Sequence, residues 1–293
     1  MFDEIQNSME RIARDSSTPA IFRAISGFLS FLFGIFANGS EGPDADSAET
    51  EEEARAARER GAREAAEVER QSGDTGFIGR LRVSIRGVEA WRDYQENQFT
   101  SGAVQHISPV AADAQTTSGF GPRSAPRRGA SRDHKGIDLS APEGTPILAS
   151  AEGVILFSGY KSGYGYTVMV GHADGSYTLY GHLQRGSIDG VEPGEHVRQG
   201  AQIGRLGNTG VSTGPHLHYE QRTGIQARDP LIAGQTYDRG ERLAAASPEA
   251  RALAQHGGGR AFAPLAASST GDDDSVRASL LRIFNPRTSI ALG

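Results

Sequence analysis

The run HLHYE contains the side chains of this sequence best suited to metal chemistry. Its alternation of polar with apolar or aromatic residues is typical of a short β-strand. Because side chains alternate between the two faces of a strand, we expect His216, His218 and Glu220 on one face. The turn-forming residues of NTGVSTGP come directly before this run, so a loop should deliver both imidazoles to a surface.

A second pair of metal-binding side chains, His134 and Asp138, stands upstream in the run DHKGIDLS. Neutral imidazole and carboxylate are ordinary zinc ligands, and a hydrolytic zinc site uses three protein ligands and one open position for water. His134 and Asp138 supply two ligands, and one histidine of HLHYE supplies the third. The other histidine of that run is then available beside the metal for hydrogen bonding or proton transfer.

A further candidate, His182, lies between these segments in the run SYTLYGHLQRG. Period-two alternation predicts a strand on which His182 and Tyr180 share a face. The sequence contains no cysteine that would compete for the metal. The candidate site therefore combines histidines and one aspartate from separate strands and glycine-rich loops.

Taken in order, these segments resemble the lysostaphin/LytM-type zinc endopeptidases, which cut peptide cross-links in bacterial peptidoglycan. The resemblance covers about residues 107–235, a little under half of the chain. It is carried by ISPV, SGFGPR, HKGIDLSAPEGTPILASAEGVI, GYGYTVMVGHADGSYTLYGHL, GEHVRQGAQIGRLGNTG and STGPHLHYE.

The resemblance implies a role for each candidate side chain. His134, Asp138 and His218 would be the ligands of one Zn²⁺ per chain. His182 and His216 would be the catalytic pair, which orients the attacking water and stabilises the oxyanion. Some relatives have lost ligands and serve as regulators of other hydrolases, whereas this sequence keeps every one.

The predicted fold class is a mainly β catalytic domain, an antiparallel sheet or barrel-like fold of the LytM type, with α-helical N- and C-terminal extensions. Short runs rich in β-branched and aromatic residues, separated by glycine turns, support the sheet. These runs are VILFSGY, YTVMVGHA, SYTLYGHL, AQIGRLG and HLHYEQR. Two interpretations of the basic loop SAPRRGASRD stay open, recognition of the wall peptide and a solvated loop.

Changes in composition divide the chain into successive segments. We predict an N-terminal segment with a short hydrophobic helix (1–43), an acidic linker and charged helix (44–75), a helical docking segment (76–106), the zinc endopeptidase domain (107–235) and a C-terminal helical and linker extension (236–293). The charged helix EEEARAARERGAREAAEVERQ has few apolar side chains to bury, which favours a solvated spacer over a site for a coiled-coil partner. In the docking segment, a helical stripe favours a helix over a strand. The stripe consists of Phe77, Ile78, Leu81, Ile85 and Val88.

Residues 19–38 form an apolar run without charge from Ala24 to Ala37. A transmembrane helix needs about 20 such residues, so the run is short for a span. Three alternatives stay open: a marginal membrane anchor, a helix buried against another protein, and an atypical or uncleaved secretion signal.

The net charge of −6 and the pI near 5.8 argue against a nucleic-acid partner, because an acidic chain has no general attraction for phosphate. The absence of cysteine excludes disulfides but does not identify a compartment. Outside the candidate site, we interpret four histidines as structural and expect His172 in a hairpin turn. They are His106, His172, His196 and His256. Glu220 is a candidate acceptor for the second N–H of a metal-bound imidazole.

Three classes of function are compatible with these motifs. The first is a peptidoglycan endopeptidase at the cell envelope or periplasm, tethered to a membrane or to other subunits through residues 1–100 and 236–293. The second is the same chemistry on a phage virion, with the extensions docked into a tail. The third is a regulatory or binding module without turnover, which the intact site disfavours.

Overall fold

The computed structural model describes residues 23–30, 51–71, 77–98, 104–111, 113–122, 133–224, 226–230 and 262–263, together with residues 11 and 14. The basic loop at 123–132, most of the C-terminal extension and His256 lie outside the described residues. Within these ranges the segment after residue 113 is built mainly from β-strands, and the segments before residue 100 are helical.

A nine-stranded sheet forms the centre of the described structure, and every strand pair in it is antiparallel. Its order is β1-β4-β11-β8-β7-β6-β9-β13, and β12 pairs with β11. The strands are β1 (Gln115–Ser118), β4 (Ile137–Ser140), β6 (Gly153–Lys161), β7 (Gly165–Gly171), β8 (Ser176–Leu183), β9 (His196–Val197), β11 (Leu217–Thr223), β12 (Gln226–Arg228) and β13 (Phe262–Ala263). The predicted antiparallel β fold is confirmed.

One face of this sheet packs on a second, two-stranded sheet made of β5 (Pro146–Leu148) and β10 (Gln202–Arg205). Ile147 and Ile203 of the small sheet share a buried core with Val168 and Tyr219 of the large sheet. Burial of such apolar side chains is the main stabilising contribution to a fold. A third, two-stranded sheet of β2 (Gly121–Pro122) and β3 (Asp133–His134) stands at the border of the candidate site.

The opposite face of the large sheet is covered by two helices, α1 (residues 23–30) and α3 (Phe77–Gln98). Trp91 of α3 and Phe28 of α1 meet Tyr177 of β8 edge-on, with ring centroids 6.4 and 5.1 Å away. The Trp91 indole also donates a hydrogen bond of 2.8 Å to the carbonyl oxygen of His172. Gly171 allows this approach, because a Cβ there would lie 2.7 Å from the indole ring.

The predicted docking helix is present, since α3 spans Phe77–Gln98 and buries Val88 and Trp91 against the sheet. Of the five side chains in the predicted apolar stripe, the structure describes only that of Val88. In the apolar run, residues 24–30 are buried, and Ile25, Phe28 and Leu29 join the same core. The described part of that run therefore packs on the chain's own sheet, which was not among the three alternatives. No helix in the described residues has both the length and the apolar character required to cross a membrane.

The charged helix is α2 (Glu51–Gln71), and its outer side faces solvent as predicted. Its inner side is docked, because Ala57 is 1% exposed and Gly61 is buried. A Cβ at Gly61 would lie 2.9 Å from the carbonyl carbon of Gly210. The prediction of a solvated spacer was wrong, since α2 packs through small residues and hydrogen bonds and needs no apolar stripe.

Candidate metal centre and active site

The strand register explains how His218 and Asp138 come together. They are directly opposite each other on the antiparallel strands β11 and β4. Opposite residues of such a pair point to the same face, with their Cβ atoms about 5 Å apart. His134, at the end of β3, reaches the same point because the chain crosses Tyr219 at Gly136, where a Cβ would lie 2.3 Å from the Tyr219 carbonyl oxygen.

Three side-chain atoms converge at this point. His218 Nδ1 lies 2.9 Å from Asp138 Oδ1 and 3.2 Å from His134 Nε2, and His134 Nε2 lies 3.2 Å from Asp138 Oδ1. All three side chains are at most 2% exposed. The three residues form the only group in the described parts of the chain with the spacing required to hold a metal ion.

The hydrogen bonds on the far sides of the imidazoles determine which nitrogen carries the proton. His134 Nδ1 lies 2.6 Å from the Gly119 carbonyl oxygen, which only accepts, so Nδ1 carries the proton and Nε2 has a lone pair. His218 Nε2 donates to Glu220 Oε1 at 3.1 Å, so its Nδ1 has a lone pair. Two lone pairs and one carboxylate oxygen therefore face one another with no proton between them, an arrangement that a cation stabilises.

This donor set fits zinc. A tetrahedral site with bonds of about 2.0–2.1 Å places neighbouring ligand atoms about 3.3 Å apart. The observed separations of 2.9–3.2 Å are close to that value. Two neutral imidazoles and one carboxylate also leave one tetrahedral position for water, as in hydrolytic zinc sites.

Glu220 holds the His218 ring from a fully buried position. Besides the His218 ring, its carboxylate accepts hydrogen bonds from Tyr164 Oη at 2.8 Å and from Arg222 Nη1 at 2.6 Å. Burial by itself raises the pKa of Glu220, but the Arg222 guanidinium and the His218 hydrogen bond outweigh burial and lower the pKa below its usual value. The structure thus gives Glu220 the acceptor position predicted for it. Lys161 is buried beside this group, with Nζ 3.1 Å from the Tyr164 ring centroid.

His182 reaches the site through an irregularity of β8. Tyr180 pairs with Val168 and Leu183 with Tyr166, so two residues of β8 stand opposite one residue of β7. Such a bulge changes the direction of a side chain. Consistent with this, His182 has a φ of 57°, a conformation that non-glycine residues rarely adopt.

The predicted shared face of His182 and Tyr180 is therefore wrong. The Tyr180 ring packs 5.4 Å from Tyr219, on the core side of the sheet. The His182 ring lies 6.1 Å from His218 and 4.8 Å from His216, on the other side. The bulge thus places His182 on the opposite face from the one that strand alternation predicts, and that face carries the candidate site.

His182 and His216 are held in the same way. His182 Nδ1 donates to the Thr209 carbonyl oxygen at 2.6 Å, and His216 Nδ1 donates to that of Gly214 at 2.8 Å. In each ring, Nε2 therefore lies on the side away from that carbonyl oxygen. His216 Nε2 lies 3.9 Å from Asp138 Oδ1. The structure brings all five predicted site residues together, and none is more than 5% exposed.

The other described histidines lie elsewhere. His172 follows β7 in the hairpin turn to β8, as predicted, and its amide donates to the Ser176 carbonyl oxygen at 2.8 Å. The rings of His106 and His172 are buried and packed edge-on at 5.1 Å. Burial, with the adjacent His172 acting in the same direction, lowers the pKa of His106 to about 3. His196 lies near Tyr94 of α3, with its Nε2 3.1 Å from Glu152 Oε1.

The sequence analysis missed the backbone groups that orient the imidazoles. Thr209 is the clearest example, since its carbonyl oxygen accepts from His182 while its hydroxyl donates to the Leu183 carbonyl oxygen at 2.7 Å. The same hydroxyl accepts from the Tyr166 amide at 3.0 Å. The only sequence signal was the turn pattern Asn-Thr-Gly, which indicates a loop but not its hydrogen bonds.

The segment that carries this site has relatives among known proteins. Residues 132–230 match the family described as Peptidase family M23. Over 126 residues the chain is 50% identical to DD-carboxypeptidase/endopeptidase Mpg of Neisseria meningitidis, covering 43% of this chain and 28% of Mpg. Over 107 residues it is 46% identical to peptidoglycan DD-endopeptidase ShyC of Vibrio cholerae, covering 36% of this chain and 24% of ShyC.

Among solved structures, the catalytic domain of lysostaphin from Staphylococcus simulans aligns with 31% identity and a TM-score of 0.36, covering 40% of this chain and 90% of that domain. The aligned part of the chain spans only about a quarter of the length of the two curated relatives. The resemblance of this segment to the lysostaphin/LytM-type peptidases is confirmed.

Proposed function

We propose that the chain is a zinc-dependent endopeptidase that hydrolyses peptide cross-links of bacterial peptidoglycan. The observation that carries this proposal is the convergence of His134 Nε2, Asp138 Oδ1 and His218 Nδ1 beside two further oriented imidazoles. The match to Peptidase family M23 and the identity to ShyC, which is named a peptidoglycan DD-endopeptidase, support the substrate class.

His134, Asp138 and His218 would hold the metal. When bound, zinc polarises the scissile carbonyl and lowers the pKa of a coordinated water toward neutrality. The chain contributes a rigid, buried ligand set, because the two rings are fixed by the hydrogen bonds that they donate to the Gly119 carbonyl oxygen and the Glu220 carboxylate. Ligand orientation of this kind adjusts both metal affinity and reactivity.

His182 and His216 would handle the proton and the developing charge. With Nδ1–H bound to a carbonyl oxygen, each ring has a lone pair on Nε2, and one of the two rings accepts the proton of the attacking water. The ring that has gained the proton returns it to the leaving amine, while the second ring, when protonated, donates to the oxyanion. Loss of one such oxyanion donor typically lowers a rate about 100- to 1000-fold.

We further propose that the enzyme acts at the cell envelope, held there or within a larger assembly by its extensions. The helices α1 and α3 pack on the sheet that carries the site, so the described extensions belong to the same folded unit. A regulatory module without turnover is the less favoured function, because the metal-binding side chains and both imidazoles are all present and oriented.

The test is digestion of isolated peptidoglycan by the purified full chain, with zinc and with a chelator, followed by mass measurement of the released muropeptides. We expect chelator-sensitive release, and the product masses identify the bond that is cut. A chain that binds zinc but releases nothing from walls of several cross-link types would contradict the proposal.

A further inference from the structure

Residues 208–212, here named the catalytic loop, lie beside the two catalytic imidazoles and beneath helix α2. On the inner side, the Thr209 carbonyl oxygen accepts from His182 Nδ1 at 2.6 Å. The Ser212 hydroxyl lies 3.3 Å from His216 Nδ1. The position of this loop therefore determines the orientation of the His182 ring and contributes to that of His216.

Helix α2 contacts the outer side of the same loop. Glu64 Oε2 accepts a hydrogen bond of 2.8 Å from the backbone amide of Gly210, and Arg60 donates to the Ser212 carbonyl oxygen. Tyr160 of β6 fastens the helix, since its hydroxyl donates to the Gly61 carbonyl oxygen at 3.0 Å. The close approach of Gly61 to the Gly210 backbone completes the contact.

Two of these hydrogen bonds share one peptide group. The amide that donates to Glu64 and the carbonyl that accepts from His182 belong to the peptide bond between Thr209 and Gly210. The Glu64 carboxylate, this planar peptide and the imidazole thus form one hydrogen-bonded chain. A negative charge at one end polarises the peptide and makes its carbonyl oxygen a stronger acceptor.

We propose that Glu64 is a positioning residue for His182, acting through the Thr209–Gly210 peptide. Helix α2, which lies outside the segment matched to Peptidase family M23, is then a functional part of the active site. The carboxylate holds the peptide plane and keeps the proton of His182 on Nδ1, so that Nε2 accepts the proton of the attacking water. This inference rests on the proposed function of the site and adds to it a residue 118 positions upstream of His182 (182 − 64).

Three variants of the full chain test the inference. Glu64→Ala removes the acceptor, Glu64→Gln keeps a neutral acceptor, and Gly61→Ala introduces a Cβ 2.9 Å from the Gly210 backbone while favouring the helix itself. The matched control is Glu59→Ala, because Glu59 is exposed on the same helix and pairs with Arg55 and Arg63 of that helix.

We expect Glu64→Ala to lower kcat on peptidoglycan fragments about 10- to 100-fold, by comparison with the loss of the orienting partner of a metal-bound imidazole. KM and zinc content should stay at the wild-type values. The hydrogen bonds that start at Glu64 end at His182 and reach neither the substrate nor a metal ligand. Glu64→Gln should recover part of kcat, Gly61→Ala should resemble Glu64→Ala, and Glu59→Ala should equal wild type.

Nitrogen-15 NMR of the histidine side chains provides a readout independent of turnover. We expect a protected Nδ1 proton of His182 in wild type and in Glu59→Ala, and its exchange broadening in Glu64→Ala. Unchanged kcat together with an unchanged His182 resonance in Glu64→Ala would overturn the inference. An increased kcat would overturn it as well, because it would show that α2 blocks the active site. If wild type cleaves no peptidoglycan, the proposed function fails, and the His182 resonance alone decides the role of Glu64.

Discussion

The described part of the molecule contains two groups of buried histidines, and their comparison shows what distinguishes the candidate site from a structural pair. The first group surrounds the convergent ligand atoms, and the second is the pair His106 and His172. Members of both groups are at most 6% exposed. The first group consists of His134, His182, His216 and His218.

The two groups differ in where their nitrogens point. In the first, each ring donates one N–H away from the site, so the remaining nitrogens face the centre. In the second, His172 contacts the Glu152 carbonyl oxygen at 2.8 Å and the Thr178 hydroxyl at 3.0 Å, so both nitrogens have partners. His106 Nδ1 lies 3.0 Å from the Ser150 hydroxyl. Burial is therefore common to both groups, and convergence of lone pairs is what creates a site.

The largest expected effect contrasts catalysis in the two groups. His182→Ala should lower peptidoglycan cleavage about 100-fold or more while keeping one zinc per chain, because the proton acceptor is lost but the ligands stay. His218→Ala should lose zinc and activity together. His106→Gln, from the second group, should cleave like wild type at neutral pH. Full activity of His182→Ala would refute the assigned roles.

The second prediction concerns the support of a ligand. Glu220→Gln should weaken zinc affinity about 10- to 100-fold, because the neutral amide is a poorer acceptor for His218 Nε2–H. Competition with a chromogenic chelator measures the change. Glu192→Gln, at an exposed position, is the matched control. An affinity for zinc equal in the two variants would show that the Glu220 carboxylate is dispensable.

The third prediction uses the pKa of the second group. His106 is neutral in the fold, with a pKa of about 3 against an ordinary value of 6.5, because it is buried beside His172, with Asp174 acting weakly in the opposite direction. The folded pKa is lowered, so the associated stability is complete above pH 6.5 and is lost as pH falls toward 3. At about pH 5 the loss should be about 2 kcal/mol.

Chemical denaturation of wild type and His106→Gln between neutral and acidic pH measures this loss. We expect the two unfolding free energies to approach each other as pH falls, because glutamine does not titrate. Parallel pH curves for wild type and His106→Gln would show that His106 does not resist protonation.

The smallest expected effect concerns the backbone at the bulge. Among the described non-glycine residues, His182 alone has a positive φ. Glycine adopts this conformation without strain, whereas alanine does not. His182→Gly should therefore unfold with a free energy about 1 kcal/mol higher than His182→Ala, although both are inactive. Thermal melts of the two variants provide the measurement, and equal stability would exclude backbone strain at this position.

The same comparison shows which parts of the site the sequence could predict. Spacing and alternation predicted that His216, His218 and Glu220 share a face, because strand periodicity is local. They failed at His182, because a bulge depends on the pairing of β8 with β7 and leaves no local pattern. Whether a histidine nitrogen finds a carbonyl oxygen, as His182 does at Thr209, also depends on distant backbone.

The helices also show that contacts with distant parts of the chain leave no local sequence pattern. The apolar stripe of α3 predicted docking, because apolar side chains that follow a helical period indicate a buried face. Helix α2 lacks such a stripe and still docks through Gly61 and Glu64, whose contacts with Gly210 span about half of the chain. For the run around Phe28, composition left three alternatives open, and the surface of the chain's own sheet that buries it became evident only from Trp91 and Tyr177.

The most direct test of the central claim is calorimetric titration of zinc into the metal-free full chain, for wild type, His218→Ala and His106→Gln. We predict one tightly bound zinc per chain in wild type and in His106→Gln, and no tight binding in His218→Ala. The claim that converging lone pairs make the site would be contradicted if His218→Ala bound zinc like wild type. It would also be contradicted if His106→Gln lost zinc binding while His218→Ala kept it.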